Sequence, residues 1–203
     1  MVVDLRLAPV NTLLYGTVFF IWCLAMTDQL SAQDWLDQGL KTLATQGFAG
    51  LKAEPLAKAM GVSRGSFYWH FADIGAFHAA VLKAWREVAA EAIIAYVDAP
   101  AGNADPLIVL LQRVFSEKLG LERAVRSWAA FDRAAKAAVQ AIDRRRLDYV
   151  ADLIRVRGVS ADAAQARAQI LYWAFLGYAL SEKPPSKIQR ESIVAEMMRI
   201  VLL

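Results

Sequence analysis

The amino-acid sequence predicts an all-α protein. Hydrophobic residues make up 57% of the 203 positions, and alanine and leucine, which favour helices, are abundant among them. Runs of β-branched residues and paired turn signals, which would indicate strands, are scarce. A chain of this length can bury a hydrophobic core without disulfides or metals, so we expect one large or two small helical domains.

Cysteine and histidine usage excludes several kinds of site. The lone Cys23 cannot form an intrachain disulfide, which favours a reducing cytoplasm. Together with His70 and His78 it is too little for a zinc site, and we expect no metal and no cofactor. The net charge is +3, and residues 41–90 carry six Lys or Arg against three Asp or Glu. This excess favours contact with phosphate groups, although a solvated helical surface explains it equally well.

The first 26 residues differ from the rest of the chain. Val10–Met26 is an almost continuous apolar run, VNTLLYGTVFFIWCLAM. It is shorter than the about 20 apolar residues of a membrane span, and it lacks the basic start and cleavage site of a secretory signal. Because a polar lead-in to a helix follows Met26, we interpret residues 1–26 as an extension created by a misplaced start. A membrane anchor or signal and an extra packed helix are the alternatives.

The first helix is predicted from Ser31, a good N-cap, to about Gln46. Gly47 ends it, since glycine tolerates the left-handed conformation at a helix end. Its apolar residues recur at helical spacing and form one stripe: Trp35, Leu36, Leu40 and Leu43.

Two short helices joined by a tight turn follow. The first covers about 54–60 and accepts Pro55 in its first turn, where no amide partner is lost. The second covers about 64–71, after a break at Gly61 and an N-cap at Ser63. This pattern is typical of a helix-turn-helix, which we place between Lys52 and Phe71.

The first turn of the second short helix carries the expected base contacts. Arg64 can donate two hydrogen bonds to guanine O6 and N7, although it could also be a solvated surface residue. The small Gly65 and Ser66 let the backbone approach DNA closely. The free amides after Ser63 and the helix dipole favour phosphate.

An aromatic run ends this helix. Phe67 and Phe71 are four residues apart and form the expected core pair. Tyr68 and His70 then point outward, where they can bond phosphate oxygens, and Trp69 can lie against a sugar or a thymine methyl. A structural role for His70 and partial burial of Trp69 are the alternatives.

The segment Leu56–Phe71, LAKAMGVSRGSFYWHF, resembles the DNA-binding domain of the TetR family of bacterial repressors. The matching features are Ala57, the turn at 61–63 and the end Tyr68-x-His70-Phe71, and the resemblance extends over about 31–80. It implies that the first helix supports the helix-turn-helix and that the short third helix enters the major groove.

One position departs from the family pattern. The family usually has a lysine just after the third helix, where this sequence has Ile74. Lys52, at a position where the family often has a capping Thr or Ser, could partly replace that phosphate contact. The expected DNA-binding residues are therefore Lys52, Ser63, Arg64, Gly65, Ser66, Tyr68, Trp69 and His70.

The remaining chain is also expected to be helical. A long helix from Asp73 to about Val97 has the predicted buried face Phe77, Val81, Ala84, Val88, Ala92 and Ala95. The segment Asp98–Pro106, DAPAGNADP, predicts a linker between two structural regions. Four or five further helices are expected, at about 106–119, 121–132, 134–157, 160–180 and 186–203. We assign residues 27–75 to the DNA-binding domain and 76–203 to an effector-binding and dimerisation domain.

The second region resembles the ligand-binding domain of one subset of these regulators. The string Arg126-Ser127-Trp128-Ala129 with Asp143, Arg146-Leu147 and Tyr149 carries the resemblance. It implies a helical domain that dimerises through its last two long helices and binds an effector inside. The expected dimer contacts are Ile170, Trp173, Ala174, Gly177, Ile193, Met197 and Ile200. These faces could instead be buried inside one subunit.

An effector pocket is expected among the aromatic side chains of the same region. The candidates are Trp128, Phe131, Tyr149, Tyr172 and Trp173, which could also be ordinary core. The sequence shows no convergent charged set there, which weakly favours a hydrophobic or aromatic effector.

The function expected from these observations is a homodimeric cytoplasmic repressor that a small-molecule effector releases from its double-stranded DNA operator. A membrane-tethered regulator that uses the apolar N-terminal segment is one alternative, although a membrane partner is not expected. An all-α enzyme is disfavoured, because the sequence has no nucleophile–base pair, phosphate loop or paired-carboxylate motif. No catalytic residue is assigned.

Overall fold

The computed structural model describes residues 30–99, 104–116, 119–183 and 185–202, so the interpretation of residues 1–26 lies outside the described part of the chain. Every regular element in these ranges is helical, as the sequence predicts. The α-helices are α1 (Ala32–Gln46), α2 (Ala53–Ala59), α3 (Arg64–Tyr68), α4 (Ile74–Arg86), α5 (Ala92–Asp98), α6 (Pro106–Ser116), α7 (Gly120–Ala129), α8 (Arg133–Arg155), α9 (Ala161–Leu180) and α10 (Lys187–Leu202). None of these helices is long and apolar enough to cross a membrane.

Helix α1 begins and ends where the sequence predicts. The Ser31 hydroxyl accepts a hydrogen bond from the Asp34 amide, and the Asp34 carboxylate accepts one from the Ser31 amide at 2.7 Å. This reciprocal pair satisfies two amides that the first turn would otherwise leave open. Gly47 ends the helix with a φ of 71°, in the left-handed region that favours glycine.

Helices α4 and α5 form one continuous rod, joined by the π-helical turn Glu87–Glu91. The rod begins at Asp73, whose carboxylate accepts a hydrogen bond from the Ala76 amide at 2.7 Å. The predicted buried face is right at Phe77 and Val81, half-buried at Ala84, and wrong from Val88 on, because Val88, Ala92 and Ala95 are exposed. A π-turn holds more residues than an α-turn, so the residues after it are rotated. The residues buried along this part of the rod are Trp85, Ala89, Ala90, Ile94 and Val97.

Two hydrophobic cores hold the helices together. The first lies under α1 to α4 and also takes in α7 and α8 through Val125, Trp128 and Val139. The second is formed by residues of α5, α6, α8, α9 and α10. Helix α7 lies against α1 so closely that a Cβ at Gly120 would be 3.1 Å from the Ala44 carbonyl oxygen. The helix-turn-helix region and the later helices therefore share one core where they meet.

Candidate functional site

Helix α3 is shorter than the sequence predicts. It covers Arg64–Tyr68, and the Trp69 backbone closes it with an α-helical φ and ψ. The amides of His70 and Phe71 both bond to the Phe67 carbonyl at 3.1 Å, so the helix ends in a hydrogen-bonded turn. Ser63 is the N-cap residue, but its side chain makes no capping hydrogen bond. The hydroxyl therefore faces solvent with its bonding capacity available to another partner.

The structure buries the two phenylalanines of the aromatic run and exposes Tyr68, as expected, but His70, which was expected to point outward, is only partly exposed. Phe67 and Phe71 are buried, and Phe67 packs edge-on against Trp35 with ring centroids 5.3 Å apart. Tyr68 is half-exposed and Trp69 is 87% exposed. Such exposure of an indole is unusual, because a large apolar side chain normally finds cover. His70 is half-buried, between these two environments.

Arg64 and Tyr68 lie together on the exposed face of α3. The guanidinium Nη2 donates a hydrogen bond to the Tyr68 hydroxyl at 3.1 Å, and its carbon lies 5.7 Å from the centre of the Tyr68 ring. The hydrogen bond to Tyr68 raises the pKa of Arg64, so this side chain remains a cation. The pair presents the five N–H donors of a guanidinium and one phenol hydroxyl on a single turn of the helix.

Small residues flank this pair. Gly65 is exposed, and a Cβ built on it would meet only the Ser63 hydroxyl, at 3.6 Å. Ser66 is half-buried beside it. The backbone at the start of α3 is therefore open to a large partner. Six of the eight expected DNA contacts, from Ser63 to Trp69 with Phe67 left out, lie on this one helix and its two caps.

Lys52 and the position of the missing family lysine, Ile74, both lie outside α3. Lys52 is exposed at the N-cap of α2, where its side chain makes no capping hydrogen bond. Ile74 packs against the first core as a half-buried residue. The position where the family usually has a lysine is thus occupied by an apolar side chain that belongs to the protein interior.

A cavity of about 340 Å³ lies beside the second core. It is bounded by the π-turn, α5, α6, α7, α8 and α9, and most of its wall is apolar. The apolar side chains in the wall include Trp85, Val88, Ile93, Leu110, Leu111, Val114, Phe115, Leu121, Val150, Leu171 and Phe175, and the polar ones are Arg113, Glu122, Arg146, Tyr149 and Tyr172. The volume is at the lower end of the range of ligand pockets.

The structure corrects the pocket expected from sequence. Tyr149 and Tyr172 line the cavity, but Trp128 is buried in the first core, 4.7 Å from the Phe48 ring. Phe131 is 66% exposed and lies 5.5 Å from Phe48. Trp173 is 63% exposed, because adjacent helical residues point about 100° apart and its neighbour Tyr172 faces inward.

A charged cluster at the cavity wall is the feature that sequence reasoning missed. Glu122 of α7 is 4% exposed and accepts hydrogen bonds from Arg126 Nε at 2.8 Å and from both terminal nitrogens of Arg146 at 3.0 Å. Asp143 accepts two from Arg126, at 2.7 and 3.2 Å, and one from the Tyr172 hydroxyl at 2.5 Å. Three different helices supply these side chains, so only their tertiary packing makes the set convergent.

The cluster is balanced in charge and closed in hydrogen bonding. Burial would lower the pKa of Arg126, but its hydrogen bond to Asp143 and the charge of Glu122 raise it. Burial would likewise lower the pKa of Arg146, but the charge of Glu122 and the hydrogen bond to it raise this pKa. Burial raises the pKa of Tyr172 to about 12. At neutral pH the two arginines are cations and Tyr172 is a neutral phenol.

Arg146 also connects the cluster to the rod. Its Nε and Nη2 donate hydrogen bonds to the Ala89 carbonyl, at 3.2 and 3.0 Å, and Ala89 lies within the π-turn. Its guanidinium lies 5.1 Å from the centre of the Phe175 ring. The cavity wall is thereby tied directly to the helix that leads to α3.

Helices α9 and α10 each expose apolar side chains. Ile170, Trp173, Gly177, Ile193 and Ile200 are exposed there, and Ala174 and Met197 are half-buried. The opposite side of α9 is also apolar, and its residues Leu171, Tyr172 and Phe175 are buried. A helix that is apolar all round is normally covered on all sides.

Comparisons with known proteins bear on both regions. Residues 36–81 match the family model of bacterial regulatory proteins, tetR family. E. coli NemR in its reduced form has a similar fold, with a TM-score of 0.67 and 20% identity over 83% of this chain and 96% of that chain. A TetR-family member from Streptomyces coelicolor A3 gives 0.57 and 20% over 81% and 96%. The multidrug binding protein EbrR, complexed with imidazole, gives 0.52 and 20% over 82% and 93%. No curated protein matches this sequence.

Proposed function

Through residues 36–81 the chain belongs to the TetR family of bacterial regulatory proteins, and we propose that it is a homodimeric repressor released from its operator by a small molecule. The observation that carries the proposal is the exposed surface of α3, with Arg64, Tyr68 and Trp69 beside an open backbone at Gly65. We place the protein in the cytoplasm, with residues 27–75 as its DNA-binding domain.

Helix α3 would enter the major groove. Its first turn places Arg64 where it can bond guanine O6 and N7, and the missing side chain at Gly65 allows the backbone to approach. In the free protein the guanidinium donates a hydrogen bond to the Tyr68 hydroxyl at 3.1 Å, and it would exchange this partner for the base. Tyr68, Trp69, His70 and the cation at Lys52 would contact sugars and phosphates, which positions the helix without reading sequence.

A second copy of the chain would cover α9 and α10. Large apolar side chains on an exposed surface indicate an interaction site, and both helices expose them, Trp173 on α9 and two isoleucines on α10. Pairing these faces gives the two-fold symmetry that places two α3 helices on half-sites about one DNA turn, or a multiple, apart.

An effector in the cavity would act on the rod. It would touch Val88, Ala89 and Ala90 of the π-turn, and the Ala89 carbonyl is the group that Arg146 holds. The far end of the same rod packs under the helix-turn-helix through Phe77 and Val81. A ligand that favours one position of the rod shifts the spacing of the two α3 helices, which couples effector and operator binding.

Gel shifts with the promoter region of its own gene test the DNA-binding part. Arg64→Ala should weaken specific binding by about 1–3 kcal/mol and relax one base preference, whereas Tyr68→Phe should weaken all sequences about equally. Arg155→Ala is the matched control, because Arg155 is also an exposed arginine and lies at the end of α8. The absence of salt-sensitive, sequence-selective binding by the unaltered protein would overturn the proposal.

Sedimentation of Trp173→Glu tests the dimer. A carboxylate at the centre of an apolar interface should produce monomers, because it cannot be paired there. Val156→Glu is the control, since Val156 is 80% exposed after the end of α8 and outside the proposed interface. A Trp173→Glu variant that sediments as the unaltered dimer would remove α9 from the interface.

A further inference from the structure

The cavity wall also restricts the chemistry of its ligand. We propose that the effector is an uncharged molecule with an apolar body and a single hydrogen-bonding end, and this inference rests on the proposed effector site. The cavity is about 340 Å³ and its wall is mainly aliphatic and aromatic. The inference depends on which charges and hydrogen-bonding groups of the wall already have partners within the protein.

The four charged groups of the cluster neutralise each other. Glu122 and Asp143 are matched by Arg126 and Arg146. Each carboxylate accepts three hydrogen bonds from within the cluster, and Arg146 donates two more to the Ala89 carbonyl. A ligand carboxylate would have to displace a carboxylate that is already well bonded, and a ligand ammonium would have to displace an arginine.

An ionised ligand therefore gains no counter-ion in this cluster while it loses its own hydration. Removing an unpaired charge from water is far more costly than removing a hydrogen-bonded neutral group. The cluster also resists rearrangement, because breaking one buried pair leaves the other member uncompensated. The charge balance of Glu122 and Arg146 thus disfavours an ion beside the cluster, and Arg113, the other charged residue of the wall, already lies 5.6 Å from the centre of the Tyr96 ring.

One polar group of the wall retains capacity for a neutral partner. The Tyr149 hydroxyl donates a hydrogen bond to Asp98 at 2.6 Å, and a phenol oxygen that donates can also accept. Burial raises the pKa of Tyr149, and its hydrogen bond to Asp98 acts in the same direction, so the phenol keeps its proton. A ligand alcohol or primary amide can donate to this oxygen while its apolar body lies against Trp85, Ile93 and Phe115.

Isothermal titration calorimetry at pH 7 tests the proposal with two matched series of probes. One series has a naphthalene body and the other an unbranched ten-carbon chain. Each series has four members, which end in an alcohol, a carboxamide, a carboxylate or an ammonium group. The alcohol and amide of at least one body should bind, and the two ions of that body at least about tenfold more weakly, because of the uncompensated desolvation.

Two variants locate the binding site. Val88→Trp narrows the cavity from the π-turn and should abolish binding of the neutral probe, while leaving the fold intact because Val88 is half-exposed. Val156→Trp makes the same change at an exposed valine that does not line the cavity, and should bind like the unaltered protein.

The outcomes separate the two levels of the argument. Tighter binding of a carboxylate or an ammonium, or no binding by any neutral probe, overturns the inference. If Val88→Trp binds the neutral probe as tightly as the unaltered protein does, the probe does not bind in the cavity, and the inference is overturned as well. Operator binding is measured on the same samples without any probe, so a failure of the DNA-binding proposal is recognised independently.

Discussion

Substituting Glu122 with glutamine tests how strongly the charged cluster stabilises the fold. The variant keeps the shape of the side chain but removes its charge and turns one acceptor oxygen into a donor. Because Glu122 is 4% exposed and bonded to both Arg126 and Arg146, solvent cannot replace what is lost. Breaking a buried pair costs about 3–5 kcal/mol, and since the amide retains one acceptor we expect the lower end, about 3 kcal/mol.

The control is Asp152→Asn. The Arg155–Asp152 pair is separated by 3.0 Å, as is the Arg146–Glu122 pair, but both of its side chains are more than half exposed. Exposed pairs contribute little, so this change should cost less than about 0.5 kcal/mol. Both substitutions replace a carboxylate by an amide beside an arginine at 3.0 Å, and they differ in burial and in the second arginine, Arg126, that Glu122 also binds.

Urea unfolding followed by circular dichroism gives the two free energies of unfolding. Both variants are measured at one protein concentration, because dimer formation makes stability concentration-dependent. About 3 kcal/mol corresponds to a loss of about 6–12 °C in Tm for a chain of this size. If Glu122→Gln costs less than about 1 kcal/mol, or no more than Asp152→Asn, the cluster does not hold the helices together as argued.

Three further predictions concern the core and the cluster. Phe67→Ala should lower the free energy of unfolding by about 3–5 kcal/mol, because a fully buried ring is lost beneath α3; urea titration showing under 1 kcal/mol would contradict this. Gly39→Ala should destabilise by about 1–2 kcal/mol, since its Cβ would lie 2.8 Å from Phe77 Cζ, which outweighs the better helix propensity; a raised Tm would count against it. Tyr172 has a pKa raised from 10.0 to about 12, so its contribution to stability should be complete below pH 10 and disappear as the pH rises through 12. Tyr172→Phe should lack this alkaline loss, and equal alkaline losses in both proteins would refute the assignment.

Local signals were sufficient for much of the N-terminal region. Ser31, Gly47 and Asp73 act at the predicted helix ends, because caps depend on a few neighbouring residues. The burial of Phe67 and Phe71 follows from their helical spacing. The exposure of Tyr68 and Trp69 then follows, since they lie on the remaining face.

Predictions that depended on a regular period over a long distance were less accurate. The predicted buried face of the α4–α5 rod is wrong from Val88 on, because the π-turn at Glu87–Glu91 changes the rotation per residue. The pocket residues are wrong at Trp128, Phe131 and Trp173. An aromatic residue fits a pocket, a core or an interface equally well, and sequence spacing alone does not choose between them.

The sequence by itself determined the helical class, the position of the helix-turn-helix and the side chains that α3 presents, because each depends on contacts within a few residues. Only the tertiary structure decided that Glu122, Arg126, Asp143 and Arg146 form one neutral cluster at the wall of a cavity. Those residues lie on different helices, and the distances between their charged atoms depend on how the helices pack. Each charged residue of the cluster can be read from the sequence. Which ligand charge the cavity accepts, however, depends on how the helices bring these residues together.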